Sequence, residues 1–125
     1  MISVAAVDDH ILIRQAVESL LNREDDIDLG ATGSVGNDIL KLSEQYRPDV
    51  MLLDLNVPVR KGDTARYRVL PTIRKIRESH PAVKIILLTQ HIVVALIGAQ
   101  DFVEGYLLKS DNLSLNLPQA IRTVY

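Results

Sequence analysis

Cysteine is absent from the 125 residues, which excludes disulfides and thiolate-bound metals. No segment is long or apolar enough to serve as a signal peptide or membrane span, so a reducing cytoplasm is the expected compartment and no membrane is expected among the partners. A strong charge of either sign is also missing. The net charge of -2 gives no overall electrostatic drive toward nucleic acid, and no direct nucleic-acid contact is expected of this domain. No internal repeat or low-complexity tract interrupts the chain. What is present is a hydrophobic content of 47%, enough for a sizeable core, and a length that suits one compact domain over residues 1–125. The charge is unevenly spread: acids crowd the first third, while Arg60, Lys61, Arg66, Arg68, Arg74, Lys75 and Arg77 cluster mid-chain. A solvated basic face is the favoured reading of that cluster over a docking surface.

Two apolar runs end in acids. Val50-Met51-Leu52-Leu53 is followed by Asp54, and the first run of the chain closes on Val7-Asp8-Asp9. Short unbroken hydrophobic stretches read as buried parallel strands, and in open α/β sheets the chemistry lies beyond their carboxyl ends. Three carboxylates are thereby aimed at one crevice, where mutual repulsion and lost hydration call for a hard cation. The pattern predicts a Mg²⁺ site with an aspartate poised to react.

Strand and helix alternate along the rest of the chain. Strands are expected at Ile2–Val7, Asp28–Thr32, Val50–Leu53, Val83–Leu88 and Tyr106–Leu108, and helices over Ile11–Asn22, from Val35 to before Pro48, over Pro71–His80 and over Ile92–Ala99. Pro118 is expected to open a last helix through Val124. Alternation of this kind implies a doubly wound five-stranded parallel sheet flanked by helices. Thr89 follows the fourth strand, Lys109 the fifth, and Asn56 stands two past Asp54. Taken singly, each is a turn or cap residue or a surface ion-pair partner; taken together, in one order at strand ends, they make a constellation.

That constellation resembles the receiver domain of bacterial two-component response regulators, in the NarL/FixJ-like branch whose members usually carry a LuxR-type DNA-binding tail. The resemblance rests on Val-Asp-Asp-His at 7–10, Leu-Leu-Asp-Leu-Asn-Val-Pro at 52–58, Leu-Leu-Thr-Gln-His at 87–91 and Gly-Tyr-Leu-Leu-Lys-Ser at 105–110, and spans essentially the whole chain. It implies the flavodoxin-like receiver fold, with no output domain inside the chain. Asp54 would accept a phosphoryl group from a sensor histidine kinase, a phosphotransfer protein or a small phosphodonor. Asp8, Asp9, Asp54 and the Asn56 backbone carbonyl would hold Mg²⁺, Asp8 mostly through water, while Lys109 and Thr89 neutralise phosphoryl oxygens. Thr89 and Tyr106 would form the switch that relays phosphorylation to an output domain or partner in transcription regulation. The domain would be no enzyme beyond its own phosphoryl transfer and dephosphorylation. His10 and His91 are assigned to helix-start and rim positions, with His91 alone considered for an influence on dephosphorylating water.

Two other classes compete. A pseudo-receiver would keep the fold as an interaction module without phosphorylation control, but such modules typically lose acids or the lysine that this chain retains. A Mg²⁺ phosphohydrolase similar to haloacid dehalogenases would want an acid where Asn56 stands.

The chain also departs from the family pattern. About seven extra residues lie between Gly62 and Ile73, with Asp63–Leu70 a basic segment beside the site. Phe102-Val103 replaces a usual glycine-alanine pair, and Ser110 stands where many receivers have proline. The run Ile92-Val93-Val94-Ala95-Leu96-Ile97 is unusually apolar. It is expected to cover a homodimer or partner surface flanked by Arg66–Arg68, or else to be covered by the inserted segment.

Overall fold

The computed structural model describes residues 1–90, 102–109 and 113–125. In chain order the elements are β1 (Ile2–Val7), α1 (Ile11–Asn22), β2 (Ile27–Gly33), α2 (Gly36–Gln45), β3 (Val50–Asp54), α3 (Val69–Ser79), β4 (Lys84–Thr89), β5 (Gly105–Leu108) and α4 (Leu113–Val124). The five strands form one sheet in the order β2-β1-β3-β4-β5, and every neighbouring pair is parallel. This is the expected doubly wound architecture. The order reverses at β1 and β3, and open parallel sheets form their crevice at such a switch point.

The pleat divides the apolar residues between two faces. Val4, Ala6, Leu52, Ile86 and Leu88 join Val17 and Leu21 of α1 and Leu117 and Ile121 of α4 in one core. Val7, Met51, Leu53, Ile85 and Leu87 join Ile39 of α2 and Ile73 and Ile76 of α3 in the other. Every residue of β3 is buried, which is why Val50–Asp54 reads as a continuous apolar run with no alternation. Asp54, at its end, is held in a rigid central strand.

Two helix starts differ from expectation. The third helix begins at Val69, because Val69 packs into the core at 3% exposure. Pro71 then falls in the first turn, where a missing amide breaks no intrahelical bond. The last helix begins at Leu113 and contains Pro118 instead of starting with it. Leu113, Leu117 and Ile121 recur at four-residue spacing and are all buried, so core packing outweighs the one hydrogen bond that proline removes.

The entry to β5 is fixed by Arg77. Its guanidinium donates to the Val83 and Phe102 carbonyl oxygens at 2.7 and 2.9 Å and to both carboxylate oxygens of Glu104 at 2.9 Å. Glu104 in turn accepts the Ile85 amide at 2.7 Å, and the Arg74 guanidinium stacks 5.0 Å from the centre of the Phe102 ring. These contacts account for Phe102 where the family pattern has a smaller residue. Arg60, Lys61, Arg66, Arg68, Arg74 and Lys75 are exposed; Arg60 pairs with Asp63, Arg66 with Asp9 and Arg77 with Glu104.

The inserted segment folds as a short antiparallel hairpin. Pro58 pairs with Arg66, the Val59 amide donates to the Ala65 carbonyl at 3.2 Å, and the Tyr67 amide donates to the Val57 carbonyl at 2.9 Å. Its turn is closed by the Asp63 amide on the Arg60 carbonyl at 3.0 Å and places Gly62 at φ +85, a conformation that favours glycine. The hairpin leans toward α2: the Gly36 amide donates to the Pro58 carbonyl at 2.8 Å, and the Tyr67 ring lies so close over Gly36 that any Cβ there would overlap it. The expected helix Ile92–Ala99, the surface proposed for Ile92–Ile97, His91 and Ser110 all lie outside the described residues.

Candidate functional site

The carboxyl ends of β1, β3, β4 and β5 converge on a crevice of about 320 Å³ lined by His10, Asp54, Asn56, Thr89 and Lys109, among others. Asp54 ends β3 at 3% exposure, and its Oδ1 accepts the Asn56 backbone amide at 3.0 Å. The turn after the strand therefore orients the carboxylate. Asp8, 1% exposed, accepts the His10 amide at 2.9 Å through Oδ1, and Arg14 binds its backbone carbonyl at 2.6 Å. Lys109 follows β5; its amide donates to the Thr89 carbonyl at 2.8 Å. That register sends the side chain inward until only 2% of it is exposed, with Nζ 2.7 Å from Asp8 Oδ2 and 3.0 Å from Asp54 Oδ2.

Burial is the largest influence on Asp54 and raises its pKa above the ordinary 3.8. The Asp8 charge pushes in the same direction, while the Asn56 amide and Lys109 pull against them. The upward shift is what a carboxylate crowded by a second carboxylate should show. The protein itself already supplies part of the neutralising charge that such a cluster requires. Lys109 bridges two of the acids, and Arg66 of the hairpin stands 3.7 Å from Asp9 Oδ2.

The acidic cluster fits a hard divalent cation. Asp8, Asp9, His10 and Asp54 each offer a ligand atom, all within 4.8 Å of one another. Asp8 Oδ2, Asp9 Oδ1 and Asp54 Oδ2 are buried and accept no hydrogen bond among the described residues. Lys109 is close enough to two of these oxygens for ion pairing without an aligned hydrogen bond, so lone pairs remain for a metal. Oxygen donors in this number are the set that Mg²⁺ accepts.

Of the residues singled out from sequence, Asp8, Asp9, Asp54, Asn56, Thr89 and Lys109 are brought together at the crevice. Tyr106 is not. It lies on β5 at 40% exposure, along a separate groove with Glu104, Asn116 and Gln119. Thr89 is 8% exposed at the end of β4. His10 is the residue that sequence reasoning undervalued. It does precede α1, as expected for a helix start, yet its Nδ1 lies 2.9 Å from Asp8 Oδ1, 3.3 Å from Asp9 Oδ1 and 3.8 Å from Asp54 Oδ2. Its place beside two acids in the sequence was the only available signal.

Comparison with known proteins agrees with this geometry. The response regulator receiver domain family matches residues 4–117. The chain is 30% identical over 127 residues to the transcriptional regulatory protein LnrK of Bacillus subtilis, covering 100% of this chain and 54% of the relative. It is 32% identical over 130 residues to the oxygen regulatory protein NreC of Staphylococcus epidermidis, covering 98% and 54%. The chain thus spans about half the length of the curated relatives it matches. Among solved structures, a LuxR-family two-component response regulator from Aurantimonas superposes with a TM-score of 0.80 at 25% identity, over 99% of this chain and 84% of that one. The signal receiver domain of the response regulator NarL from Mycobacterium tuberculosis superposes with a TM-score of 0.77 at 25% identity, over 98% and 94%. On these matches the chain belongs to the response regulator receiver domain family, in the NarL/LuxR-type group of two-component regulators.

Proposed function

We propose that this receiver is phosphorylated on Asp54 in a Mg²⁺-dependent reaction and thereby controls an output domain or partner in transcription regulation. The observation that carries the reading is the approach of Lys109 Nζ to within 3.0 Å of Asp54 Oδ2, beside Asp8 and Asp9. Asp54 attacks the donor phosphorus through a carboxylate oxygen. The bond to the leaving group breaks as the acyl phosphate forms, and the leaving group, a histidine nitrogen of a sensor kinase or phosphotransfer protein or the oxygen or nitrogen of a small phosphodonor, departs with its electron pair. Lys109 and the Thr89 hydroxyl meet the equatorial phosphoryl oxygens, and Asn56 holds the nucleophile by its amide and offers its carbonyl to the metal. Mg²⁺, held by Asp8, Asp9 and Asp54, supplies charge neutralisation when bound. The burial of Asp54 excludes water from a labile acyl phosphate.

On this reading the domain catalyses its own phosphoryl transfer and dephosphorylation only, works in the cytoplasm, and relays the change through Thr89 and Tyr106. No helix among the described residues is long and apolar enough to cross a membrane. The pseudo-receiver alternative is not favoured by the relatives. Incubation with acetyl phosphate or phosphoramidate, followed by intact-mass spectrometry, tests the proposal. The wild-type chain should gain one phosphoryl mass only with Mg²⁺ present, and Asp54→Asn should gain none. An unmodified wild-type chain under those conditions would favour the pseudo-receiver instead.

A further inference from the structure

We infer that Arg66 is a specificity-determining residue of the phosphoryl transfer: at the cavity beside the inserted hairpin it receives the carboxylate leaving group of an acyl phosphate, and so favours this class of small phosphodonor over phosphoramidates. The inference rests on the phosphorylation of Asp54 and deepens it. A second cavity, of about 390 Å³, adjoins the crevice and is lined by Asp9, Arg14, Lys61, Asp63 and Arg66, among others. Asp9 stands between the two spaces. Its Oδ1 is buried and lies 3.3 Å from His10 Nδ1, while its Oδ2 faces Arg66 at 3.7 Å.

The charges of this cavity do not cancel once a cation sits on Asp9. Of the two acids, Asp63 is already answered by Arg60 at 3.5 Å, and Asp9 then serves the metal. Arg14 is tied to the Asp8 carbonyl at 2.6 Å, but the side chains of Lys61 and Arg66 make no hydrogen bond among the described residues. A guanidinium has five donors in a planar fork that matches a carboxylate, and a half-exposed ion pair with Asp9 uses little of that capacity. The backbone that presents it is fixed, with Arg66 paired to Pro58 and the next amide, that of Tyr67, on the Val57 carbonyl at 2.9 Å.

In-line displacement carries the leaving group away from Asp54, toward the open side of the site. Side-chain exposure rises from 4% at Asp54 to 27% at Asp9 and 52% at Arg66, which puts the guanidinium on that side. As the bond between the Asp54 oxygen and phosphorus forms, the phosphorus–oxygen bond of the acyl phosphate breaks. Its electron pair stays on the acyl oxygen, and a carboxylate leaves with no proton transferred. Arg66 stabilises the charge growing on that oxygen. A phosphoramidate instead releases neutral ammonia, to which a cation offers nothing.

Time courses of intact mass with acetyl phosphate and with phosphoramidate, at a Mg²⁺ concentration that calorimetry shows to be saturating for each variant, test the proposal. The quantity read is the ratio of the two second-order rate constants, in which any change of metal affinity or of folding affects both donors and cancels. Arg66→Gln should lower the acetyl phosphate to phosphoramidate ratio about tenfold, the lower end for a hydrogen bond to a charged group. Arg66→Lys, which keeps the charge without the fork, should lower it less. An unchanged ratio in Arg66→Gln, whether both rates fall together or neither falls, would overturn the role of Arg66 and leave the phosphorylation of Asp54 standing. Absence of phosphorylation of the wild type by either donor would overturn that underlying reading as well.

Discussion

The strand ends that carry the acids and the hairpin that lies beside them are built in opposite ways. Asp8, Asp54 and the side chain of Lys109 are nearly inaccessible: Asp54 ends β3, every residue of which is buried, Asp8 follows the largely buried β1, and Lys109 turns inward from the end of the more open edge strand β5. The hairpin is exposed along Arg60, Lys61, Gly62, Thr64, Ala65 and Arg66, and rests on the domain chiefly through Tyr67 over Gly36 and the Tyr67 hydroxyl 2.7 Å from the Thr72 hydroxyl. Rigid packing positions reacting groups to within fractions of an ångström, while a segment on the rim can vary in length without disturbing them. An insertion of this size is accommodated because it occupies the β3–α3 connection and leaves the sheet intact. Among the described residues, the ion pair that links the two regions is Arg66 to Asp9.

The largest effect should come from the strand side. Leu53 is fully buried directly before Asp54, and Leu53→Ala should cost about 2–5 kcal/mol in urea unfolding, through lost transfer energy and the cavity left behind. On the hairpin side the most damaging single change should be Gly36→Ala, because its Cβ would overlap the Tyr67 ring. Displacing that ring should cost about 1–3 kcal/mol, and backbone NMR shifts should concentrate in residues 57–67 and the start of α2. If the shifts spread instead through β1 and β3, the two regions are more strongly coupled than their packing indicates.

The strand ends were legible in the sequence because the signals that define them are short and physical. An apolar run of four or five residues followed by an acid specifies both a buried strand and the end at which its chemistry sits, as for Val50–Asp54. The doubly wound parallel sheet followed from strand–helix alternation. Less legible were features that depend on long-range approach. The hairpin pairs Pro58 with Arg66 without any alternating pattern. The docking of Tyr67 depends on Gly36, 31 positions earlier. Proline at 118 suggested a helix start, but the buried series Leu113, Leu117 and Ile121 extends the helix past it. For His10, the sequence marked a helix start, and only the fold showed the ring turned toward the acids.

A smaller effect separates buried acid from exposed acid by its pH dependence. Burial raises the Asp54 pKa in the folded chain, so ionising this group costs stability; the benefit of the protonated form is complete below the unfolded value near 3.8 and is lost as pH rises through the folded value. Without divalent metal, Asp54→Asn should therefore melt higher than wild type at neutral pH, and the difference should shrink as pH falls toward 3.8. A difference that is unchanged between pH 4 and pH 7 would mean that Lys109 compensates the charge fully. Saturating divalent cation should reduce or reverse the advantage, since the metal stabilises only the carboxylate form.

The smallest effect has the opposite sign and lies far from the crevice. Asp26, before β2, accepts Arg122 of α4 through both carboxylate oxygens at 2.8 Å, and Glu24 approaches the same guanidinium at 3.1 Å. The bond to Arg122 is the main reason the Asp26 pKa falls below 3.8, and the same partners raise that of Arg122. A depressed carboxylate contributes stability that is present above its unfolded value and lost as pH falls through the folded one. Asp26→Asn should accordingly lower the melting temperature slightly at neutral pH, and wild type and variant should converge below about pH 3.8. Both groups are open to solvent, so salt should screen the difference, whereas salt should leave the Asp54→Asn difference largely intact because that charge is buried. Measuring the two variants at low and high ionic strength across the same pH range tests the contrast directly: parallel salt responses would show that the crevice is as accessible to ions as the surface pair.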